Sequence, residues 1–333
     1  MKDKICFLYI LFIVLNHTVF AADEAISITI LAAELNARAL AHHGNRVWVG
    51  TRDGLYTQQT TSLSSFKKIK PYSVNELSAV NDSLLVAHNG GVAVLQEGEW
   101  KNYLIGSSYA VTLVANELIV ARESSLLFID LKSSASRSEA VPAVESVYLS
   151  SLPRQLCRAK SSLWIGTEFG LHCRLDNGSW RYYRSEVRTQ ELTGRSAHTY
   201  ATEGLCGNRI KRLRASQNRI LVSTNSGLTS IDKEWQLARR SEECLAIDEG
   251  DVAVKYCYGN ASLPSNDVRD ACFIKGYVAV GTKSGLVLLN SDLKDKKLVN
   301  GLPDGEINCL CPALGNHLFV GTKGGLALVL FNS

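Results

Sequence analysis

The sequence predicts an all-β protein of seven similar units in a ring, the architecture of a seven-bladed β-propeller. Three observations support this fold: a short motif recurs along most of the chain, apolar runs of strand length flank each copy, and helical periodicity is nearly absent. Units of roughly 40 residues with four strands each are typical of propeller blades. An eighth, degenerate blade in the second half of the chain is the alternative.

The recurring motif consists of a β-branched residue, a small residue, three turn-like positions, a second small residue that is usually glycine, and an aliphatic residue. The two small residues are four positions apart in every copy. Such self-similarity at a nearly fixed period indicates a repeat architecture. The copies lie at 49–55, 86–92, 120–126 (a degenerate one), 165–171, 222–228, 280–286 and 320–326.

Each copy predicts the strands of one blade. An apolar run such as 47–49 has the length of a short buried strand. The turn residues and the glycine then reverse the chain, because glycine accepts the positive φ of a tight hairpin. A second strand follows, a third turn leads to an outer strand, and a further strand such as 268–274 precedes the motif. The outer strand begins near a tryptophan in several units, at Trp100, Trp180 and Trp235.

The two ends of the chain are expected to share the last blade. The strand at 326–330 leaves that blade without an outer strand, and the apolar segment 26–31 can supply it. Closing the ring in this way removes exposed sheet edges. A helix over 30–41, which is rich in alanine and leucine, is the alternative for part of this segment.

The first residues are typical of a secretory signal. Lys2 and Lys4 precede an apolar run over 5–15, and small residues follow at the expected cleavage position near Ala21. We therefore expect a signal peptide at 1–21, a single propeller domain at 22–333, and a periplasmic or secreted location. An uncleaved N-terminal anchor is the alternative. Cleavage removes two lysines and one aspartate, so the net charge falls from +4 to +3, and no basic stripe suggests nucleic-acid binding.

The cysteines predict disulfides in the second half of the chain. Nine are present, and all except Cys6 follow residue 156. An even number in an exported chain favours disulfide pairing. The long intervals between motif copies there predict insertions, one of them a hairpin over 243–258 that brings Cys244 opposite Cys257. A second expected bridge joins Cys272 to Cys309 or Cys311, with a transition-metal site at this pair as the alternative.

The later repeats resemble the two-component regulator propeller repeat. The residues that carry the resemblance are Leu263-Pro264 followed by Val268, and Leu302-Pro303 followed by Ile307, each ahead of a Val-Gly-Thr-Lys motif. The resemblance covers nearly the whole predicted domain, more loosely in the second and third units. It implies a periplasmic sensing propeller that binds saccharides or other extracytoplasmic ligands. No membrane span or kinase follows the repeats here, so sensing is expected to require a separate partner.

One face of the propeller is the expected binding site. The turns inside the motif and the connections between blades share that face, and the channel mouth there is concave and polar. We expect a small polar ligand or another extracytoplasmic protein to bind there, with solvated turns as the alternative. The candidate residues are Arg52, Asp53, His88, Asn89, Arg122, Glu123, Glu168, Phe169, Asp267, Lys283, Asp304 and Lys323.

The sequence contains no pattern that carries catalysis. It has no Gly-x-Ser-x-Gly elbow, no phosphate-binding glycine loop, and no histidine spacing that holds a metal on one element. No catalytic residue, metal ligand or cofactor is therefore predicted, and the leading expectation is a non-enzymatic binding or sensing module. A propeller-type lyase or hydrolase and a structural scaffold of an envelope assembly are the alternatives. The sequence does not predict the oligomeric state.

Overall fold

The structure, a computed structural model, describes residues 26–60, 65–142, 152–159, 161–183, 205–216, 219–231, 263–290, 296–313 and 315–331, and the backbone alone of four further strands. Those four are β1 (His17–Val19), β19 (Val187–Leu192), β20 (Arg195–Tyr200) and β24 (Cys244–Leu245).

The first three blades follow one another directly in the chain. Blade 1 comprises β3 (Ala39–His43), β4 (Arg46–Gly50), β5 (Leu55–Gln59) and β6 (Lys67–Lys70). Blade 2 comprises β7 (Val74–Val80), β8 (Ser83–His88), β9 (Gly91–Gln96) and β10 (Glu99–Tyr103). Blade 3 comprises β11 (Ala110–Val114), β12 (Glu117–Ala121), β13 (Ser125–Asp130) and β14 (Ser136–Ala140).

The remaining blades have the same antiparallel order. Blade 4 comprises β15 (Pro153–Ala159), β16 (Ser162–Thr167), β17 (Leu171–Arg174) and β18 (Trp180–Tyr183). Blade 5 comprises β21 (Ile210–Ala215), β22 (Ile220–Thr224), β23 (Gly227–Ile231) and β24. Blade 6 comprises β25 (Val268–Ile274), β26 (Tyr277–Thr282), β27 (Gly285–Asn290) and β28 (Lys296–Val299). Blade 7 comprises β29 (Ile307–Pro312), β30 (His317–Thr322), β31 (Gly325–Phe331) and β2 (Ile26–Ala33).

The seven sheets form a closed ring, which confirms the predicted propeller. The innermost strands β3, β7, β11, β15, β21, β25 and β29 contact one another in turn, and β29 contacts β3. The predicted closure is also confirmed, because β2 pairs with β31 from Ile26–Phe331 to Ala33–Gly325. Strand β1 pairs with the outer edge of β2.

Two alternatives from the sequence are wrong. Strands β2 and β3 occupy both ends of the segment 30–41, where a helix was the alternative. The first long interval holds a two-stranded hairpin, β19–β20, and the described residues form no eighth four-stranded blade. Most of the second long interval, including Trp235 and the expected hairpin over 243–258, lies outside the described residues. No helix in the described part of the chain is long and apolar enough to cross a membrane.

The small residue of the motif is explained by packing between blades. A Cβ atom placed on Gly50 would lie 2.4 Å from Cγ1 of Val74, the first inner-strand residue of the next blade. The same contact recurs between blades 6 and 7, where a Cβ on Gly281 would lie 2.5 Å from Cγ2 of Ile307. The aliphatic residue that begins each of these inner strands therefore packs on the backbone of the preceding blade.

The expected bridge from Cys272 to Cys309 or Cys311 is wrong, because all three thiols are free. Alternate residues of a strand face opposite sides of the sheet. Cys309 and Cys311 therefore pack in the core between blades 7 and 1, whereas Cys272 packs in the core between blades 6 and 7. The side chains of Cys244 and Cys257 lie outside the described residues, so their pairing stays a prediction.

Candidate functional site

The inner strands place one residue each at the same level of the central channel. These residues, which we call the channel ring, pair with the first small residue of the motif in every blade. In five inner strands a register shift precedes the ring position, as between Val74 and Glu76, and in four of these strands a polar side chain follows the shift. The channel ring consists of Ala39, Glu76, Ala110, Gln155, Arg212, Asp270 and Cys309.

Arg212 connects the polar members of the ring across the channel. Its Nη1 lies 3.3 Å from Oε1 of Glu76 and 3.4 Å from Oε1 of Gln155. Its Nη2 donates to the backbone carbonyl of Arg38 at 3.3 Å, and its Nε lies 3.7 Å from Oδ2 of Asp270. The side chains of Arg212 and Glu76 are only 8% and 6% exposed, so this network closes the channel at the level of the ring.

A second arginine completes the network one level further along the channel. Arg214 donates from Nε to Oδ1 of Asp270 at 3.2 Å and from Nη2 to Oδ2 at 3.0 Å. Asp270 also accepts the backbone N–H of Leu310 at 2.9 Å. Burial lowers the pKa of Arg214, but its ion pair with Asp270 outweighs that effect and holds the pKa above its usual value. Bidentate pairs of this kind are among the strongest polar contacts in proteins.

Glu76 is the acidic member of the network whose burial is least offset by nearby cations and hydrogen bonds. Burial raises the pKa of its carboxyl to about 7, against the opposing effects of Arg212, Arg214 and the backbone N–H of Val111. Its Oε2 atom is buried and makes no hydrogen bond with a described residue. The channel therefore holds a carboxyl group that changes its charge near neutral pH.

The channel mouth lies just outside the ring. We define the mouth as the residues that immediately precede the ring positions in the chain. A register shift leaves five of these residues half-exposed above the ring. The mouth consists of Arg38, Asn75, Tyr109, Arg154, Lys211, Arg269 and Asn308.

One side of the mouth, from blade 3 to blade 7, is an arc of alternating charges. The guanidinium of Arg154 lies 3.9 Å from the ring centre of Tyr109 and 3.8 Å from the Glu168 carboxylate. Glu168 also bonds Arg209 at 2.6 Å. The arc continues through ion pairs of Asp267 with Lys211 and Arg269, and of Glu306 with Arg269 and Lys323. Most cations of this side are thus balanced by a neighbouring acid.

The other side of the mouth, in blades 7, 1 and 2, consists of amides and one arginine. Asn308 donates to Oδ1 of Asn36 at 3.1 Å. Asn75 donates to Oδ1 of Asn89 at 3.2 Å and to the carbonyl of Ser108 at 2.8 Å.

Arg38 stands between these amides. Its Nη1 reaches the carbonyl of Val74 at 3.5 Å, and it forms no ion pair with an acid of the described residues. Burial lowers the pKa of Arg38, and the nearby positive charge of Arg52 lowers it further. This side therefore offers amide groups and an unbalanced guanidinium.

The structure brings several sequence-predicted residues to the mouth. Glu168, Asp267 and Lys323 take part in the charged arc, and Asn89 belongs to the amide side. Asp304 lies beside this arc, where its Oδ1 accepts the backbone N–H of Glu306. The remaining candidates on exposed or half-exposed turns around the mouth are Arg52, Arg122, Glu123, Phe169 and Lys283.

Two predicted residues are placed differently. The Asp53 carboxylate accepts hydrogen bonds from Thr51 and Tyr56 and forms an ion pair at 3.1 Å with Lys68 of the outer strand β6. These hydrogen bonds, of which that from Thr51 has the largest effect, keep the pKa of Asp53 well below its usual range. His88 is buried, stacks on Tyr72 with ring centres 4.0 Å apart, and accepts the Gly90 N–H at Nδ1. Burial lowers the pKa of His88.

Sequence reasoning missed the polar ring itself. The signal was a pair of adjacent polar residues within inner strands whose other residues are mostly apolar, as in Asn75-Glu76 and Lys211-Arg212. Strict alternation would place such a pair on opposite faces of a strand. The register shift at the first of the two residues lets it stay at the mouth while the second enters the ring. Among the described residues, no group of three histidine, cysteine, aspartate or glutamate side chains is arranged to hold a metal ion.

Comparison with known proteins supports the fold. No protein-family model matches the chain, and no curated protein matches it in sequence. Among solved structures, the extracellular domain of a putative hybrid two-component system from B. thetaiotaomicron is similar with a TM-score of 0.64 at 13% identity, over 89% of this chain and 40% of that one. Virginiamycin B lyase from Staphylococcus aureus is similar with a TM-score of 0.63 at 9% identity, over 92% and 99% of the two chains.

A WD40 domain is similar to the same extent. The WD40 domain of Neurospora crassa Pan2 has a TM-score of 0.61 at 11% identity, over 95% of this chain and 98% of that domain. Sensor domains, lyases and WD40 domains are thus equally near in structure. At these identities the likeness concerns the propeller fold, which supports many unrelated activities.

Proposed function

We propose that the chain is a non-enzymatic, extracytoplasmic binding module that holds a small polar ligand at the channel mouth. The observation that carries the proposal is the amide side of the mouth, where Arg38 stands between Asn308 and Asn75 without an acidic partner among the described residues. Amides suit hydroxyl groups, and a guanidinium suits a carboxylate. A hydroxylated acid such as a uronic acid combines both features.

The closed channel supports binding at the mouth rather than transport through it. The network of Arg212, Glu76 and Asp270 fills the channel below the mouth with buried, hydrogen-bonded groups. A rigid polar floor and a balanced charged arc favour a preorganised site, which lowers the cost of binding. The extracytoplasmic location is supported by the signal-like N-terminus and by the fold shared with an extracellular sensor domain.

The test is a thermal-shift and calorimetric comparison of D-glucuronate with D-glucose on the purified chain. A ligand that binds only the folded state raises the melting temperature by mass action. We expect glucuronate to give the larger shift, and the variant Arg38→Gln to lose it. Arg46→Gln is the matched control, because Arg46 is exposed at the β3–β4 hairpin, at the other end of the inner strand. Equal shifts for Arg38→Gln and Arg46→Gln would reject the mouth as the site.

A propeller lyase is the second candidate, favoured by the structural similarity to virginiamycin B lyase. It would require an acid or base free to transfer protons at the mouth. The mouth acids Glu168, Asp267 and Glu306 are each engaged by cations instead. Turnover of a ligand that binds in the thermal-shift assay would move the assignment to this class.

A further inference from the structure

A cavity of about 320 Å³ lies at the end of the channel opposite the mouth. Its walls come from the C-terminal halves of the inner strands of blades 1, 2, 5, 6 and 7. The ion network of Arg212, Glu76 and Asp270 separates it from the mouth. Cavities of a few hundred Å³ with a few convergent polar groups are typical of small-ligand sites.

The walls of the cavity combine apolar and polar surface in nearly equal amounts. Leu77 and Phe273 contribute apolar surface, and Cys272 and Cys311 also line the cavity. Burial raises the pKa of Cys311 to about 12 and raises that of Cys272 as well, so both thiols stay protonated and neutral. They behave as small, polarisable apolar groups.

Arg214 supplies a positively charged group to the cavity. Its Nε and Nη2 atoms are bound by Asp270, and Nη2 also donates to the carbonyl of Leu310. Its Nη1 makes no hydrogen bond with a described residue, although the side chain is 27% exposed and lines the cavity. The ion pair with Asp270 fixes the guanidinium in place, so Nη1 is a preorganised donor on a side chain that lines the cavity.

We propose that this cavity is a second ligand site, independent of the mouth, for a small aromatic carboxylate. The ring of the ligand packs against the apolar wall, and its carboxylate accepts from Nη1 of Arg214. A group with one flat apolar body and one acceptor end matches both features of the site.

The test uses 4-fluorobenzoate as the probe, observed by ¹⁹F NMR in the presence of the purified chain. We expect line broadening that the variant Ala79→Trp abolishes, because Ala79 is exposed at the cavity wall and a tryptophan there occupies the space. Ala135→Trp is the matched control, since Ala135 is exposed in the turn between β13 and β14. Absence of broadening with the wild-type chain, or equal broadening with both tryptophan variants, would overturn the proposal.

A second variant tests the role of Arg214 without removing it. Ser78→Asp places a carboxylate on the half-exposed cavity wall and repels an anionic ligand. We expect the wild-type chain to bind 4-fluorobenzoate more tightly than neutral 4-fluorobenzamide, and the variant to reverse that order. An unchanged order would show that charge does not select the ligand, which contradicts the proposal. The dependence of the glucuronate thermal shift on Arg38 is measured in a separate experiment. A failure of the binding proposal for the mouth can therefore be told apart from a failure of the binding proposal for the cavity.

Discussion

Arg214 and Asp270 face each other across the boundary between blades 5 and 6 and form two side-chain hydrogen bonds, of 3.2 Å and 3.0 Å. The Asp270 carboxylate is completely buried and also accepts the backbone N–H of Leu310 in blade 7. One side chain thereby links three consecutive blades at the channel. This link orders the inner strands between the mouth and the cavity.

Replacing Asp270 by asparagine should destabilise the fold strongly. The substitution removes the carboxylate that pairs with Arg214 and leaves the buried Arg212 with Glu76 alone, and breaking a buried pair in this way costs about 3–5 kcal/mol. Asp176→Asn is the matched control, because Asp176 pairs with Arg158 on the surface and is 58% exposed. We expect the control to change the free energy of unfolding by less than about 1 kcal/mol. Equal losses in urea denaturation would mean that the channel pair contributes no more than a surface pair.

The pH dependence of stability should depend on Glu76. Its pKa is raised to about 7 in the folded state, from an ordinary value of 4.5. Between these values the folded state binds more protons than the unfolded state, so this group makes stability fall as pH rises. A shift of this size corresponds to about 3 kcal/mol, lost between pH 4.5 and pH 7.

The variant Glu76→Gln removes this titration and keeps an uncharged side chain of the same shape. We expect its free energy of unfolding, relative to that of the wild type, to improve by about 3 kcal/mol as the pH rises from 4.5 to 8. Chemical denaturation at several pH values measures this difference. A relative stability that worsens with pH would mean that Arg212 and Arg214 hold the carboxylate ionised.

The ring of blades was predictable because its cause is local and repeated. Each motif joins a short apolar run, a turn and a glycine, and these patterns specify strands and hairpins without knowledge of the tertiary fold. The closing strand β2 was predictable for the same reason, since the last blade lacked one strand. The predicted bridge from Cys272 to Cys309 or Cys311 is wrong because it depends on which side of β29 these two cysteines face.

The polar channel could not be predicted in the same way. Glu76 and Arg212 are 136 residues apart in the chain, and only closure of the ring brings them together. Turn residues such as Arg52 and Lys283 are predicted because the motif turns share the face of the channel mouth, whereas the mouth is built mainly by inner-strand residues such as Arg154. A register shift decides which polar residue enters the channel, and its position is set by packing between blades.

The contact between Gly281 and Ile307 should make the small motif residue intolerant of substitution. Gly281→Ala places a Cβ 2.5 Å from Cγ2 of Ile307, and overpacking of this kind costs about 1–3 kcal/mol. Ile307→Ala removes that methyl group, so Gly281→Ala should lower the free energy of unfolding by less in the Ile307→Ala variant than in the wild type. Gly305→Ala is the control, since the nearest atom lies 3.9 Å away. Additive effects in the double-mutant cycle would contradict the steric explanation.

The threonine that follows the small residue should stabilise each motif turn through its hydroxyl group. The Oγ1 of Thr282 donates to the carbonyl of Gly285 at 2.9 Å and accepts the N–H of Ser284 at 3.1 Å, and Thr282 is completely buried. The donor contact recurs in four other blades, at Thr51, Thr167, Thr224 and Thr322. Thr282→Val keeps the shape but leaves the Gly285 carbonyl and the Ser284 N–H without this partner, which costs about 1–3 kcal/mol.

The variant Thr282→Ser separates the contribution of the hydroxyl group to stability from that of the methyl group. It retains both hydrogen bonds and loses only one buried methyl, so its cost should be about 1 kcal/mol and smaller than that of Thr282→Val. Urea denaturation of the two variants gives the comparison. If serine were as destabilising as valine, the methyl contact rather than the hydroxyl would hold the turn. The Gly-Thr pair of the motif would then reflect packing alone.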